Sequence, residues 1–237
     1  AASDVYKRQM QAMLADDLPV EAYEGPEGTG LLIPGDGTFN PLARCRSIAL
    51  NVQKQGAILF EHSPALQISA QGVSTPAGQV RCHTVVVCVD GGLERILPEL
   101  APRVKTLRLQ MLATAPTSAA HLPRPVYRRW GYDYWQQLTD GRIALGGFRD
   151  HDTDAYGAAE PSIEVQQLLD ELLRTHIGVN AEITHRWAAH VGYTSTGMPI
   201  MEELRPRIWA MGGYCGTGNV IGAICARKIA EQIFQVS

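Results

Sequence analysis

A chain of 237 residues with 45% hydrophobic and 19% charged residues can build one sizeable core or two modest domains, and that composition excludes a disordered chain. Its net charge of −3, with no basic runs, argues against a nucleic-acid partner. No apolar stretch reaches the roughly 18 residues of a membrane span, and no basic start leads into an apolar run.

The five cysteines, Cys45, Cys82, Cys88, Cys215 and Cys225, are odd in number and form no C-x-x-C pair, so they are expected as buried free thiols in a reducing cytoplasm. The seven histidines fall in no H-x₃-H or H-E-x-x-H pattern, and no metal site is expected. Residues 1–9 begin without Met, match nothing that follows, and read as a truncated or artefactual start.

Residues 10–14 are expected as a short helix ended by Asp16, Asp17 and Pro19. Residues 24–41 are turn-rich, with residues 30–33 as a short buried strand. Pro41 then opens a helix, because its missing N–H is not needed in a first turn. Leu42, Cys45, Ile48, Ala49 and Val52 mark its expected buried stripe, and Gly56 closes it. A strand-rich stretch follows: the apolar run 57–60, strands over 65–69 and 73–75 across a Gln71-Gly72 turn, then 80–82 and 84–89. The run Val85-Val86-Val87 suits a strand covered on both faces.

Residues 104–114 read as one long strand. Residues 125–136 and 142–148 read as a hairpin around Thr139-Asp140-Gly141. Tyr127, Trp130, Tyr132, Tyr134 and Trp135 load that hairpin with aromatics, which suits either a core or the wall of an apolar pocket. Residues 161–176 form an amphipathic helix with Ile163, Leu168, Leu169, Leu172 and Leu173 expected inside, and residues 183–191 return as a strand.

The last stretch organises the rest. A buried strand over 207–211 feeds a turn containing Gly212, Gly213, Gly216 and Gly218, and a helix runs over 219–234 with Ile221, Cys225, Ile229 and Ile233 four apart. Backbone N–H groups at such a helix start, with the positive end of the helix dipole, suit an electron-rich ligand edge. Glycines required only for tight packing account for the same letters.

Six strings carry a resemblance: "GLLIPGDGTFNP" ahead of a helix, "QGAILFEHSPALQI", "TVVVCVDGG", "DGRIALGG", W-x₅-Y-T-x₂-G-x-P-I from Trp187 to Ile200, and "GGYCGTGN" with its helix. In this order the chain resembles the FAD-dependent amine and amino-acid oxidoreductases of the D-amino-acid oxidase, glycine oxidase and sarcosine oxidase type. The resemblance implies an α/β fold, α+β overall: a Rossmann-like FAD-binding layer without its N-terminal βαβ unit, plus an antiparallel-sheet substrate domain. Residues 41–92 and 193–237 would form the discontinuous, incomplete cofactor layer, and residues 10–40 and 93–192 the substrate domain. It also implies non-covalent FAD, with Gly216, Thr217, Gly218, Asn219 and Val220 at the flavin's pyrimidine edge, Ala65 on the adenine side and Val89 at a strand end facing the cofactor.

Tyr134 and Val191 would contact substrate. Asp90 replaces the family's usual small residue, and an anion there is unfavourable unless it points away. No G-x-G-x-x-G occurs in the chain, so it reads as a C-terminal fragment expected to bind FAD weakly or not at all and to be inactive by itself. Val191 stands where amino-acid-oxidising members place a carboxylate-binding arginine and sarcosine oxidases a flavin-linking cysteine; Ala144 stands where some oxidases hold a lysine. Valine cannot replace a bidentate guanidinium. The implied substrate is therefore a small-molecule amine without a neighbouring carboxylate, closest to the subgroup acting on γ-glutamylated putrescine. The reaction would pass a hydride to flavin N5, and the imine would hydrolyse to an aldehyde and an amine. No side chain is named as catalytic acid or base. The alternatives are an amino-acid oxidase or dehydrogenase of the glycine or D-amino-acid oxidase type, the flavin half of a tRNA-modifying enzyme, and a non-catalytic fragment. The oligomeric state is left open.

Overall fold

The computed structural model describes residues 2–153 and 156–234. Residues 235–237 of the expected cofactor layer lie outside the described residues. The fold is mixed α/β with largely antiparallel pairing, in two units: Ala1–Phe39, Met111–Asp150 and Ile163–Arg186 form one, and Asn40–Gln110, His151–Ser162 and Trp187–Ser237 the other.

In the first unit, helix α1 (Ala2–Ala15) is longer than the expected 10–14 but stops where Asp16 and Asp17 follow, and Asp17 adopts φ 57°. Strand β1 (Glu21–Gly25) pairs antiparallel with β2 (Gly28–Leu32). The stretch expected as a buried strand is thus half of a two-stranded ribbon, with one face open and its residues only partly buried.

Strands β7 (Val104–Thr114), β8 (Val126–Arg128), β9 (Asp133–Gln137), β10 (Ile143–Gly147) and β11 (Ile183–Thr194) form a sheet in the order β11-β7-β10-β9-β8, with residues 104–110 of β7 and 187–194 of β11 assigned to the second unit and the rest to the first, and β9 and β10 make the expected hairpin. Leu112, Trp135, Ile143 and Leu145 of this sheet pack on Val165 and Leu169 of α4 (Ile163–Glu171) and on Leu172 and Leu173 of the π-turn that prolongs it. Ile163, expected inside, is 73% exposed. It lies two residues before Val165, about 200° round the helix from the core stripe.

The long strand expected over 125–136 is broken. Arg129, Trp130 and Gly131 take φ of 48°, 62° and 81°, which separates β8 from β9. Of the five aromatics in this stretch only Trp135, 4% exposed, joins the core, whereas Trp130 is 72% exposed.

In the second unit, β6 (Val85–Val87) pairs in parallel with β13 (Ile208–Gly212), and β12 (Ile200–Arg205) pairs antiparallel on the far side of β13. Val85, Val87, Leu93 of the short helix α3 (Leu93–Ile96), Leu97, Leu100, Val104 and Ile208 belong to one core. Cys225 and Ile229 of α5 (Gly218–Phe234) pack with Met211 and Tyr214 in another. A meander, β3 (Gln67–Ser69), β4 (Gly72–Thr75) and β5 (Gly78–Arg81), precedes β6.

Helix α2 (Pro41–Lys54) starts as expected: Pro41 opens it, and the Asn40 side chain accepts the Ala43 N–H at 3.0 Å. Its stripe is not buried, with Leu42 57% exposed, and the run 57–60 forms no strand, with Ile58 75% exposed. An apolar stripe is covered only by another layer and a strand exists only by pairing; no described residue supplies either to these segments. The thiols follow the same pattern. Cys45, Cys82 and Cys88 are exposed and only Cys225 is buried, because apolar neighbours in sequence do not bury a residue on an uncovered face. Among the described residues no helix is long and apolar enough to cross a membrane.

Candidate functional site

Three backbone segments of the second unit converge where β6 and β13 end. A Cβ placed on Gly91 would lie 2.6 Å from the His190 carbonyl oxygen, one on Gly192 2.6 Å from that of Asp90, and one on Gly212 2.7 Å from that of Val89. These three glycines are required by proximity of main chain to main chain, since a side-chain carbon fits at none of them.

Asp90 sits at the centre of this convergence. Its Oδ2 accepts the Gly192 N–H at 2.9 Å and its Oδ1 accepts the Tyr214 N–H at 3.0 Å. The Gly192 carbonyl in turn accepts the Cys215 N–H at 3.0 Å. A carboxylate taking two N–H bonds has its charge compensated in place, which answers the unfavourable anion expected at this position.

The chain then turns through left-handed Gly213 (φ 70°), Cys215 (φ 53°) and Gly216 (φ 89°) into α5. Thr217 locks the turn. Its N–H and its hydroxyl both donate to the Tyr214 carbonyl, at 2.9 and 2.6 Å, and its own carbonyl accepts the N–H groups of Val220 and Ile221. The N–H groups of Gly216, Gly218 and Asn219 have no hydrogen-bond partner among the described residues. Beneath them lies the buried Tyr214 ring, 2.9 Å from where a Cβ on Gly218 would stand and 3.5 Å from one on Gly222. Burial raises the pKa of the Tyr214 hydroxyl, which stays neutral. From α2, the Arg44 guanidinium reaches Asn219 Oδ1 at 3.4 Å.

The residues singled out from sequence fare differently. Gly216, Thr217, Gly218, Asn219 and Val220 do form one turn, but the amides of Thr217 and Val220 are spent inside it. The outward donors are those of Gly216, Gly218 and Asn219. Val89 lies at this end of β6 and Val191, half-buried, directly precedes Gly192. Ala65 is exposed ahead of β3. Tyr134 belongs to the other unit, on β9; its ring stands 6.0 Å from that of Tyr127 and covers Gly146, where a Cβ would be 2.5 Å away.

Sequence reasoning missed the roles of Asp90, Tyr214 and Arg44. Asp90 could be noticed as an acid wedged between an apolar strand and a glycine pair, but its two partners lie 102 and 124 residues away.

Three amides facing out at the N-terminus of a 17-residue helix, in a turn with hydrogen in place of a side chain at Gly216 and Gly218, suit a flat ligand with an electron-rich edge. The edge of a flavin ring meets that description.

Comparison with known proteins agrees. Residues 7–232 match the family model described as DAO, FAD dependent oxidoreductase. The chain is 26% identical over 214 residues to the probable oxidoreductase OrdL of Rhizobium meliloti (strain 1021), covering 85% of this chain and 48% of the relative. It is 21% identical over 220 residues to the protein of the same name in Haemophilus influenzae, covering 86% and 49%. The chain thus spans about half the length of the curated relatives it matches. L-proline dehydrogenase from P. horikoshii shares the fold with a TM-score of 0.83 at 17% identity, over 99% of this chain and 69% of that one. Glycine oxidase from Geobacillus kaustophilus shares it with a TM-score of 0.81 at 16% identity, over 100% and 68%. With a family match that runs over nearly its whole length, this chain belongs to the DAO family of FAD dependent oxidoreductases.

Proposed function

We propose that the natural protein carrying this chain uses non-covalently bound FAD to oxidise the C–N bond of an amine. The observation that carries the reading is the turn into α5, where the Gly216, Gly218 and Asn219 amides are open at a helix N-terminus. Bound FAD would supply a two-electron acceptor for the hydride leaving the carbon next to nitrogen. The chain's own part is to hold and orient. The three open amides would receive the ring's electron-rich edge, where negative charge grows on reduction, and Thr217 and Val220 would keep the turn closed behind them. Residues 41–92 and 193–237 would serve the cofactor, with Ala65 toward the adenine side and Val89 at the strand end. Residues 10–40 and 93–192 would serve the substrate, with Tyr134 touching it. The imine product hydrolyses to an aldehyde and an amine. The free thiols suit a reducing cytoplasm.

The preference for an amine without a neighbouring carboxylate rests on Val191. This half-buried apolar side chain stands where the resemblance places an arginine in amino-acid-oxidising members. A charge-assisted carboxylate contact is worth about 1.5–3 kcal/mol, so its absence corresponds to roughly ten- to hundredfold in rate. In the flavin-loaded natural protein, putrescine derivatives should reduce the flavin anaerobically faster by that factor than glycine, sarcosine or D-alanine.

A second reading takes an amino or imino acid as substrate, as the names of the structurally similar glycine oxidase and L-proline dehydrogenase suggest. It is favoured by Arg128, a partly exposed cation on β8 opposite Asp133, one position from the Tyr127–Tyr134 pair. If amino acids reduce the flavin faster, the Val191 reading fails, and Arg128→Ala should abolish their advantage.

A further inference from the structure

We infer that Asp90 is a positioning residue for the flavin-edge turn: its carboxylate sets the direction in which the Gly216, Gly218 and Asn219 amides point. The inference rests on the reading of that turn as the flavin site. Asp90 ties the turn down twice. Directly, it holds the Tyr214 N–H at 3.0 Å; indirectly, it holds Gly192, whose carbonyl holds the Cys215 N–H at 3.0 Å. Two consecutive peptide groups, those donating through Tyr214 and Cys215, are thereby oriented just before Gly216, the first open donor.

The tie continues into the helix. The Tyr214 carbonyl takes both donors of Thr217, and the Tyr214 ring lies under Gly218 and Gly222. Displacing Tyr214 therefore displaces the first turn of α5. The acid is itself presented from a fixed loop: the Gly92 N–H donates to Thr106 Oγ1 at 2.6 Å, and the Thr106 hydroxyl donates to Glu94 at 2.8 Å.

A carboxylate is required by the geometry. Two N–H donors approach its two different oxygens, so both faces of the group must accept. An asparagine would turn an NH₂ toward one of those N–H groups and leave a donor facing a donor. A smaller residue would leave both N–H groups without a partner where glycine packing has excluded a side chain. Both carboxylate oxygens are taken up by backbone N–H donors, which offsets part of the cost of an anion near an electron-rich ligand edge.

The test uses the whole natural protein and four variants: Asp90→Asn, Asp90→Glu, Gly216→Val and Leu100→Ala. Leu100 is fully buried in the core of the same unit and serves as a control for lost stability alone. Readouts are the FAD dissociation constant, the visible spectrum of bound flavin, the melting temperature, and amide exchange at Tyr214 and Gly192. Asp90→Asn is expected to raise the dissociation constant tenfold or more, shift the flavin band, and speed exchange at both amides. Leu100→Ala should lower the melting temperature while leaving affinity and spectrum unchanged. Gly216→Val, which puts a branched side chain on a left-handed position among the donors, should also loosen the flavin.

If Gly216→Val loosens the flavin while Asp90→Asn leaves affinity and spectrum as they were, the inference about Asp90 is overturned and the reading of the turn stands. If Gly216→Val leaves the flavin untouched, the reading of the turn falls and the inference with it. Should Asp90→Asn fail to fold, Asp90→Glu keeps the charge on a longer stem that misplaces both acceptors. A folded Asp90→Glu protein with loosened flavin supports the inference, and one with unchanged affinity overturns it.

Discussion

The Asp90 carboxylate accepts the backbone N–H of Tyr214 at 3.0 Å across 124 residues of chain. This bond joins the loop leaving β6 to the turn entering α5, and a second, to Gly192 at 2.9 Å, adds β11 to the same point. Removing the carboxylate leaves two N–H donors without partners. Each such donor costs about 1–3 kcal/mol when buried. Asp90→Ala should therefore lower the unfolding free energy by about 2–6 kcal/mol, read as a shift in the denaturant midpoint at unchanged slope.

The glycines around this point differ sharply from those elsewhere. A Cβ on Gly91 would come 2.6 Å from the His190 carbonyl oxygen, whereas one on Gly30 in β2 meets nothing within 4 Å. Gly91→Ala forces two backbone segments apart and should destabilise by about 2 kcal/mol or more. Gly30→Ala, with room and without left-handed backbone, should be neutral or stabilising by up to about 1 kcal/mol. Equal effects of the two substitutions on the unfolding midpoint would contradict this account of the convergence.

In the other unit, the turn that breaks β8 from β9 is held by an ion pair. Arg129 Nε and Nη2 each donate to the fully buried Asp133 at 2.7 Å, and Nη1 donates to the outer Asp150 at 2.8 Å. The left-handed backbone at Arg129 and Trp130 persists against this support. Asp133→Asn leaves a cation facing an amide and should cost about 3–5 kcal/mol. Asp150→Asn, at a solvated carboxylate, should cost under about 1 kcal/mol.

The ring of His176 stands 5.9 Å from that of Trp135 in an edge-on arrangement. Partial burial lowers its pKa, and the nearby Arg128 charge adds to the effect while Asp133 opposes it. Below about pH 6.5 the unfolded chain takes up this proton before the folded one does. The contribution of neutral His176 to stability is then present above pH 6.5 and declines as pH falls through the lowered folded value. His176→Gln should flatten this acid-side loss in denaturant titrations between about pH 5 and 7. A steeper loss in the variant would mean that the shift runs the other way.

The elements that chemistry imposes within a few residues were legible in the sequence. Proline at a helix start placed α2. A β-branched run placed β6, and alternation with a Thr139-Asp140-Gly141 turn placed the β9–β10 hairpin. Four-residue spacing and a glycine cluster placed α5 and the donor turn before it. These signals are short in range because caps, turns and amphipathic periods are properties of adjacent residues.

Whatever depends on a second segment arriving from far along the chain was not legible there. Pattern alone assigned Leu42 and Ile48 to an interior and the run 57–60 to a strand region, yet no described layer covers the former and no described strand pairs with the latter. It read Asp90 as an awkward anion, because the N–H groups of Gly192 and Tyr214 that compensate its charge are more than a hundred residues distant. It treated Thr217 and Val220 as donors equal to Gly216, Gly218 and Asn219, because which amides a turn spends internally follows from its left-handed φ angles and not from its letters. Apolar periodicity states which face a segment would bury; the partner that buries it, like the partner that satisfies a charge, is fixed only when distant backbones meet.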